Sequence, residues 1–420
     1  MRDFLPGEAE KLRFIEQRAR ELARLYGYNE VITPVVENFE LLAAKVGEEN
    51  RKRMYVFEDR GGRMVALRPE FTASVARLVA FKMQTVPKPL RLFSVGSLYR
   101  YDEPQFGRYR EFWQANYELF GSTEPVADAE IIALTNDLMK KTGLRNYYFK
   151  VGHVGILRGI VEKEGFSEDQ QNCIMQLLDG KLWDDALKMV RELGGSKTCL
   201  DNLEALLKTR SKKPEEAVEA IREIVNDYPE ALSALQNLEK ILSFLKSGDV
   251  EVDLVLDIGL ARGLEYYTGM VFEVYVPEMN VALGGGGRYD RLIELFGGGK
   301  IPGVGVAPGI DRISLALEKQ GIALKTSKEE RILVIPVDAE MIGTAFKISS
   351  LLRNEGFCAE IEAMGRSVSQ ALSEADRKGI KRTVIVGPRE MEEGNVVLRD
   401  MEERRQEPVS LEHLLNKLKH

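Results

Sequence analysis

One block of the chain constrains its fold more than any other feature. From about residue 155 to residue 246, Leu, Ile and Ala recur at three- and four-residue spacing among Lys and Glu, with almost no β-branched alternation. Strand patterns stand on both sides of this block. Residues 64–68, 90–100, 111–120 and 146–153 read as strands before it, and residues 252–258, 271–276 and 281–283 read as strands after it. The block therefore reads as a helical insertion between two parts of one strand-bearing domain. At 420 residues the chain exceeds what one hydrophobic core usually serves, so two or three domains are expected.

The rest of the pattern fits that frame. Pro6 and the acidic residues after it mark a helix start, and Leu12, Ile15, Ala19, Leu22 and Tyr26 form one apolar stripe that Gly27 ends. Residues 29–36 read as a strand interrupted by Pro34, which predicts a sheet edge or a boundary there. Helices are predicted over 70–84, 125–141, 291–295 and 311–319. The polar loop 101–109 joins two strands into an antiparallel hairpin. After a polar linker at 321–330, strands at 331–336, 359–362 and 382–386 alternate with helices at 345–355 and 368–378, the pattern of a small α/β domain with its own sheet.

Composition narrows the function by exclusion. Cys173, Cys199 and Cys358 are widely spaced, and so are His153, His413 and His420; neither set suggests a disulfide framework or a resident metal site. No signal-peptide succession opens the chain and no stretch is long and apolar enough for a membrane span, so a cytoplasmic protein with no membrane partner is expected. A net charge of −7 argues against indiscriminate coating of nucleic acid but leaves selective RNA binding open.

Three constellations could carry chemistry. Arg262-Gly263-Leu264-Glu265-Tyr266-Tyr267 places a guanidinium beside a glycine, where it can fork onto a carboxylate or a phosphate; a strand-end arginine near a turn fits equally well. The hairpin from Leu98 to Gln114 carries Arg100, Arg108 and Arg110 among aromatic residues. It can hold a polyphosphate and stack a base, and it also suits a solvated charged hairpin. Two glycine-rich passages, 284–287 and 303–309, allow close backbone approach to a ligand, the second leading to Asp311 and Arg312. Neither has the spacing of a phosphate-binding P-loop or a dinucleotide fingerprint.

Taken together, Pro34 after an amphipathic helix, the hairpin with Arg100 and the glycine passage ending in Arg312 resemble the three signature motifs of class II aminoacyl-tRNA synthetases. Within that class, residues 67–73 (Leu-Arg-Pro-Glu-Phe-Thr-Ala), the Gly107-Arg108-Tyr109-Arg110 turn and the string from Leu260 to Tyr267 resemble the histidyl-tRNA synthetases. The resemblance extends from Arg2-Asp3-Phe4-Leu5-Pro6 into the C-terminal domain. It implies an α+β fold: a class II antiparallel sheet flanked by helices (residues 1–154 and 249–322), a helical insertion (155–248) and a C-terminal α/β anticodon-binding domain (329–420).

The resemblance also implies roles. Arg100 and Arg262 would meet the α-phosphate of ATP, and Arg108 and Arg312 the β- and γ-phosphates, with Arg100, Arg262 and Arg312 catalytic. Adenine would lie between Phe112 and Arg312, near Asp102, and Mg²⁺ would accompany the pyrophosphate. Glu70, Thr72 and Gln114 would hold the amino acid's charged groups, Glu118 and Tyr267 would face the imidazole of L-histidine with Tyr266 and Tyr289 nearby, and Arg262 would also belong to the histidine-binding set. Transfer to tRNA(His) would use an adenylate phosphate oxygen as base. A homodimer built through the first motif is implied, and Arg377, Lys378, Lys381 and Arg382 form the C-terminal domain's best basic cluster for RNA.

Two departures stand out. The family's Arg-x-Glu-Arg-Pro reads here Arg100-Tyr101-Asp102-Glu103-Pro104, which shortens one carboxylate and replaces a base by an acid. Trp113 stands where the family commonly has His. The rival from another class is a paralogue of the fold that binds histidine without activating it, as the regulatory subunit of ATP phosphoribosyltransferase. Such paralogues typically lack the C-terminal domain and part of the arginine and tyrosine set, both of which this chain retains.

Overall fold

The computed structural model describes residues 1–43, 51–103, 107–260, 267–324 and 330–419. The chain forms two compact units, Met1–Leu324 and Lys325–His420.

The first unit is organised by a nine-stranded sheet. Its order from one edge is Asn29–Glu30, Leu90–Tyr99, Glu111–Phe120, Gly303–Pro308, Gly284–Arg288, Met270–Tyr275, Tyr148–His153, Leu254–Asp257 and Arg210–Ser211. Only the Asn29–Glu30/Leu90–Tyr99 and Tyr148–His153/Leu254–Asp257 pairs are parallel. The long hairpin pairs in register from Leu90 with Phe120 to Tyr99 with Glu111. Helix Pro6–Leu25 buries Leu12, Ile15, Ala19 and Leu22, the stripe its spacing predicts.

Pro34 lies between strands of two different sheets. Asn29–Glu30 edges the large sheet, whereas Val36–Asn38 pairs with Met64–Leu67 in a separate three-stranded sheet completed by Val56–Glu58. A residue without an N–H suits the point where the chain leaves one ladder for another.

The glycine passages correct the sequence reading. Residues 281–283, expected as a strand, are outside the ladders, and the strand is the glycine run Gly284–Arg288 itself, fully buried. Glycine is a poor strand former in isolation, yet here its neighbours leave no room for side chains. A Cβ on Gly286 would lie 2.1 Å from the Gly305 carbonyl oxygen, and one on Gly284 would lie 2.8 Å from Pro308 Cα. Tertiary fit overrides local preference.

Residues 155–246 form helices as predicted, six of them from Val154–Lys163 to Pro229–Ser247, together with the two-residue strand Arg210–Ser211 that the helical texture concealed. Their apolar faces join the same contiguous core as the sheet. The second unit has a five-stranded sheet, ordered Cys358–Ile361, Arg331–Pro336, Arg382–Val386, Asn395–Asp400 and Arg405–Ser410; the last two strands were not read from sequence. Among the described residues no helix is long and apolar enough to cross a membrane.

Candidate active site

A cleft of about 880 Å³ opens over the face of the large sheet, and most of the residues singled out from sequence line it: Glu70, Thr72, Arg100, Asp102, Arg108, Gln114, Tyr267, Tyr289 and Arg312. Phe112 lines a small adjoining recess with Arg100, Arg108 and Arg312. Arg262 and Tyr266 lie outside the described residues.

The arginine end is held by backbone carbonyls. Arg100 Nε donates to Pro69 O at 2.9 Å, and its Cζ sits 5.1 Å from the centre of the Phe112 ring. Arg312, in the first turn of helix Ile310–Lys319, donates from Nε to Gly107 O (3.0 Å) and from Nη1 to Ala282 O (2.8 Å). Guanidinium groups fixed in this way meet a polyanion without reorganising. Arg108 is exposed on the turn after Gly107. Asp102 faces Arg53, with Arg53 Nε 3.6 Å from Oδ1, a partner the motif alone did not indicate.

The loop before the hairpin is pinned by a residue read only as part of a motif. Arg68 is buried, donates to Thr33 O at 2.7 Å and to Ser97 O at 3.3 Å, and lies over the Phe71 ring at 4.5 Å. It thereby sets the start of helix Thr72–Lys82, where Thr72 is buried. Glu70 precedes that helix on the cleft wall.

The opposite end is a polar pocket sunk into the sheet. Glu118 is 1% exposed, and Asn116 Nδ2 donates to its Oε1 at 2.9 Å. Gln114, Asn116 and Glu118 alternate along one strand, so a period-2 run of polar residues in an otherwise buried strand was the signal that would have found Asn116. Glu118 is in register with Gly305, which is in register with Gly287. A Cβ on Gly305 would fall 1.9 Å from Glu118 Oε2 and 2.6 Å from the Tyr289 hydroxyl, and one on Gly287 would fall 2.9 Å from the Tyr267 ring. The glycines are thus the floor on which a carboxylate and two phenols lie. The two tyrosine rings are 6.3 Å apart, and Tyr289 also packs edge-on to Phe120 at 6.2 Å.

A clasp behind this pocket was not read from sequence. Arg288 bonds the fully buried Asp128 through Nε (3.0 Å) and Nη2 (2.5 Å), and Thr268 Oγ1 donates to Asp290 Oδ2 at 3.0 Å. These contacts bracket Tyr267 and Tyr289, their immediate chain neighbours. In the second unit each member of the predicted basic cluster has an acidic partner: Arg377 and Lys378 with Glu374, Lys381 with Glu402, and Arg382 with Glu330. Exposed pairs of this kind are weak, so they lower the local net charge without tying up its cations.

Residues 1–313 match the family described as histidyl-tRNA synthetase, and residues 331–420 match the family described as anticodon binding domain. A histidine–tRNA ligase of Methanocaldococcus jannaschii is 42% identical over 418 residues, covering 99% of this chain and 97% of that protein. Among solved structures, the apo histidyl-tRNA synthetase of S. aureus has a TM-score of 0.73 at 26% identity, covering 99% of this chain and 97% of that one. A Bacillus halodurans chain described as an ATP phosphoribosyltransferase regulatory subunit/histidyl-tRNA synthetase has a TM-score of 0.78 at 26% identity, covering 92% and 97%. Matched over most of its length by one family and over nearly all of it by a relative, the chain belongs to the histidyl-tRNA synthetase family of class II aminoacyl-tRNA synthetases.

Proposed function

We propose that this chain uses ATP to activate histidine as histidyl-adenylate and then transfers the histidyl group to tRNA(His). The observation that carries the reading is one cleft lined by the carbonyl-fixed arginines and by the Tyr267 and Tyr289 phenols, with the buried Glu118 carboxylate against Gly305 of its wall. In the first step a carboxylate oxygen of histidine attacks the α-phosphorus of ATP. The bond to the bridging oxygen breaks and pyrophosphate leaves with its electron pair. Negative charge grows on the phosphoryl oxygens, where Arg100, with Arg262, stabilises it; Arg108 and Arg312 hold the departing phosphates. Phe112 and Arg312 flank adenine, with Asp102 beside it. Mg²⁺ bound to those phosphates would supply further counter-charge to the leaving pyrophosphate.

At the other end Glu118 accepts from one imidazole N–H, and Tyr266, Tyr267 and Tyr289 complete the ring's surroundings. Glu70, Thr72 and Gln114 take the ammonium and carboxylate. A pocket that satisfies both ring nitrogens rejects analogues lacking either, since its own buried groups would lose their partners. In the second step a ribose hydroxyl of the tRNA end attacks the carbonyl carbon and AMP leaves, the proton passing to a phosphate oxygen.

Residues 1–154 and 249–322 form the catalytic domain in this reading, 155–248 the insertion and 329–420 the anticodon-binding domain, acting in the cytoplasm as a homodimer. The dimer is supported by apolar side chains on and beside the three-stranded sheet: Ile32 is 90% exposed, and Val36, Phe57 and Met64 are 44–46% exposed. The test is ATP–pyrophosphate exchange without tRNA, run with each amino acid. Exchange with histidine alone is expected. Histidine binding without exchange would overturn the reading in favour of a regulatory histidine-binding paralogue.

A further inference from the structure

Beside the nucleotide end of the cleft, the N-terminal segment meets two elements distant from it in the chain, the hairpin that carries Tyr109 and the helix that begins at Ile310. The Arg2 guanidinium bonds Asp311 Oδ1, and Asp311 Oδ2 accepts the backbone N–H of Trp113. Asp311 is 3% exposed; burial pushes its carboxyl up from the ordinary range, and the Trp113 N–H and Arg2 oppose that rise. Arg2 also lies over the Tyr109 ring, with Cζ 3.6 Å from its centre, and 4.6 Å from the centre of the Phe4 ring.

The neighbours of these three contacts form the nucleotide end. Tyr109 follows Arg108, and Gly107 of the same turn accepts from Arg312 Nε at 3.0 Å. Trp113 lies between Phe112 and Gln114, and Asp311 precedes Arg312. Arg2 therefore touches the turn and the helix start whose carbonyl and guanidinium meet on the cleft side. It staples that contact through Asp311, a carboxylate that lines the same recess and also bonds the strand carrying Phe112.

We propose that Arg2 is a positioning residue for ATP: the N-terminal segment is a strap that holds the Arg108 turn, the Phe112 strand and Arg312 in the geometry that receives the triphosphate. The inference rests on the nucleotide assignment of this end of the cleft. Without Arg2, Asp311 is left with backbone N–H partners alone and the turn loses the cation beside Tyr109. The guanidinium set then has to be ordered by the ligand, which weakens ATP binding; the histidine pocket, with Glu118 further along the same strand and its floor of Gly287 and Gly305, is unchanged.

The test uses the full chain with Arg2→Met, which keeps side-chain length without the charge, and Arg2→Lys, which keeps the charge without the fork. Pyrophosphate exchange gives KM for ATP and for histidine, calorimetric titration with ATP gives binding independently of turnover, and thermal melting reports the fold. Arg2→Met is expected to raise KM and Kd for ATP roughly tenfold. KM for histidine and the melting temperature should stay within error, and Arg2→Lys should recover part of the loss. An unchanged ATP Kd in Arg2→Met would overturn the proposal, and so would a parallel rise in both KM values together with a fall in the melting temperature. Absence of exchange in the unaltered chain would count against the reaction, while its ATP titration would still decide the strap.

Discussion

Gly305 shows how one missing side chain can shape the pocket proposed for histidine. Its pro-Cβ direction is filled by Glu118 and the Tyr289 hydroxyl, and the Tyr117 carbonyl oxygen lies 2.7 Å from where a Cβ would be. The backbone oxygen cannot retreat, so Gly305→Ala must push the carboxylate and the phenol off their positions. Overpacking of this kind costs about 1–3 kcal/mol. Gly305→Ala is expected to raise KM for histidine by at least about tenfold in pyrophosphate exchange, with ATP binding by calorimetry nearly unchanged. Equal effects on both substrates would show that the glycine serves the sheet and not the pocket. At this scale sequence was informative about type and silent about partners. Glu118 and Gln114 were found through family motifs. Asp102 meeting Arg53 and Arg2 meeting Asp311 join residues whose separation in sequence carries no periodic signal.

Elements with a strong period were legible: helix Pro6–Leu25, the two hairpin strands and helix Pro125–Thr142 fall within two residues of their patterns at either end. The glycine strand was not, because what makes it a strand is the closeness of its neighbours and not its own side chains. Arg210–Ser211 was hidden for the opposite reason: its pairing with Leu256 and Asp257 is imposed on a short link between helices. The junction of strand Tyr148–His153 with helix Val154–Lys163 also has a property that only the structure reveals. His153 caps that helix, its Nδ1 accepting from Gly155 N at 3.1 Å. Burial, with the Arg288 charge adding to it and a hydrogen bond with Asn237 opposing, holds the imidazole down at about 4 from an ordinary 6.5. The folded chain therefore binds this proton less readily than the unfolded one. The resulting stability is fully present above pH 6.5 and is lost as pH falls towards 4, roughly 3 kcal/mol in all. Urea denaturation from pH 7 to 5 should show that slope in the unaltered chain. His153→Asn, which keeps a capping acceptor, should be less stable at pH 7 yet flatter with pH. An equal slope in both would assign the acid sensitivity elsewhere.

For the molecule as a whole, the exposed apolar group around Ile32 and Phe57 is the feature that a lone subunit leaves unexplained. In the dimer reading Ile32→Glu places an unpaired charge in the interface. Sedimentation should then move towards one subunit mass, with activity falling in step, whereas an unaltered dimer would put the interface on another surface. The strand order has a further consequence, for the ribosome. Glu111–Phe120 receives its neighbour Gly303–Pro308 from about 180 residues later in the chain, and the glycine floor closes only when that segment arrives. At translation speeds of about 5–20 residues per second, the Tyr117–Phe120 end of that strand waits roughly 10–40 seconds for its partner in every round of synthesis. An enzyme of translation is thus itself exposed to the tempo of translation, and its polar Glu118 keeps that waiting edge from being uniformly apolar.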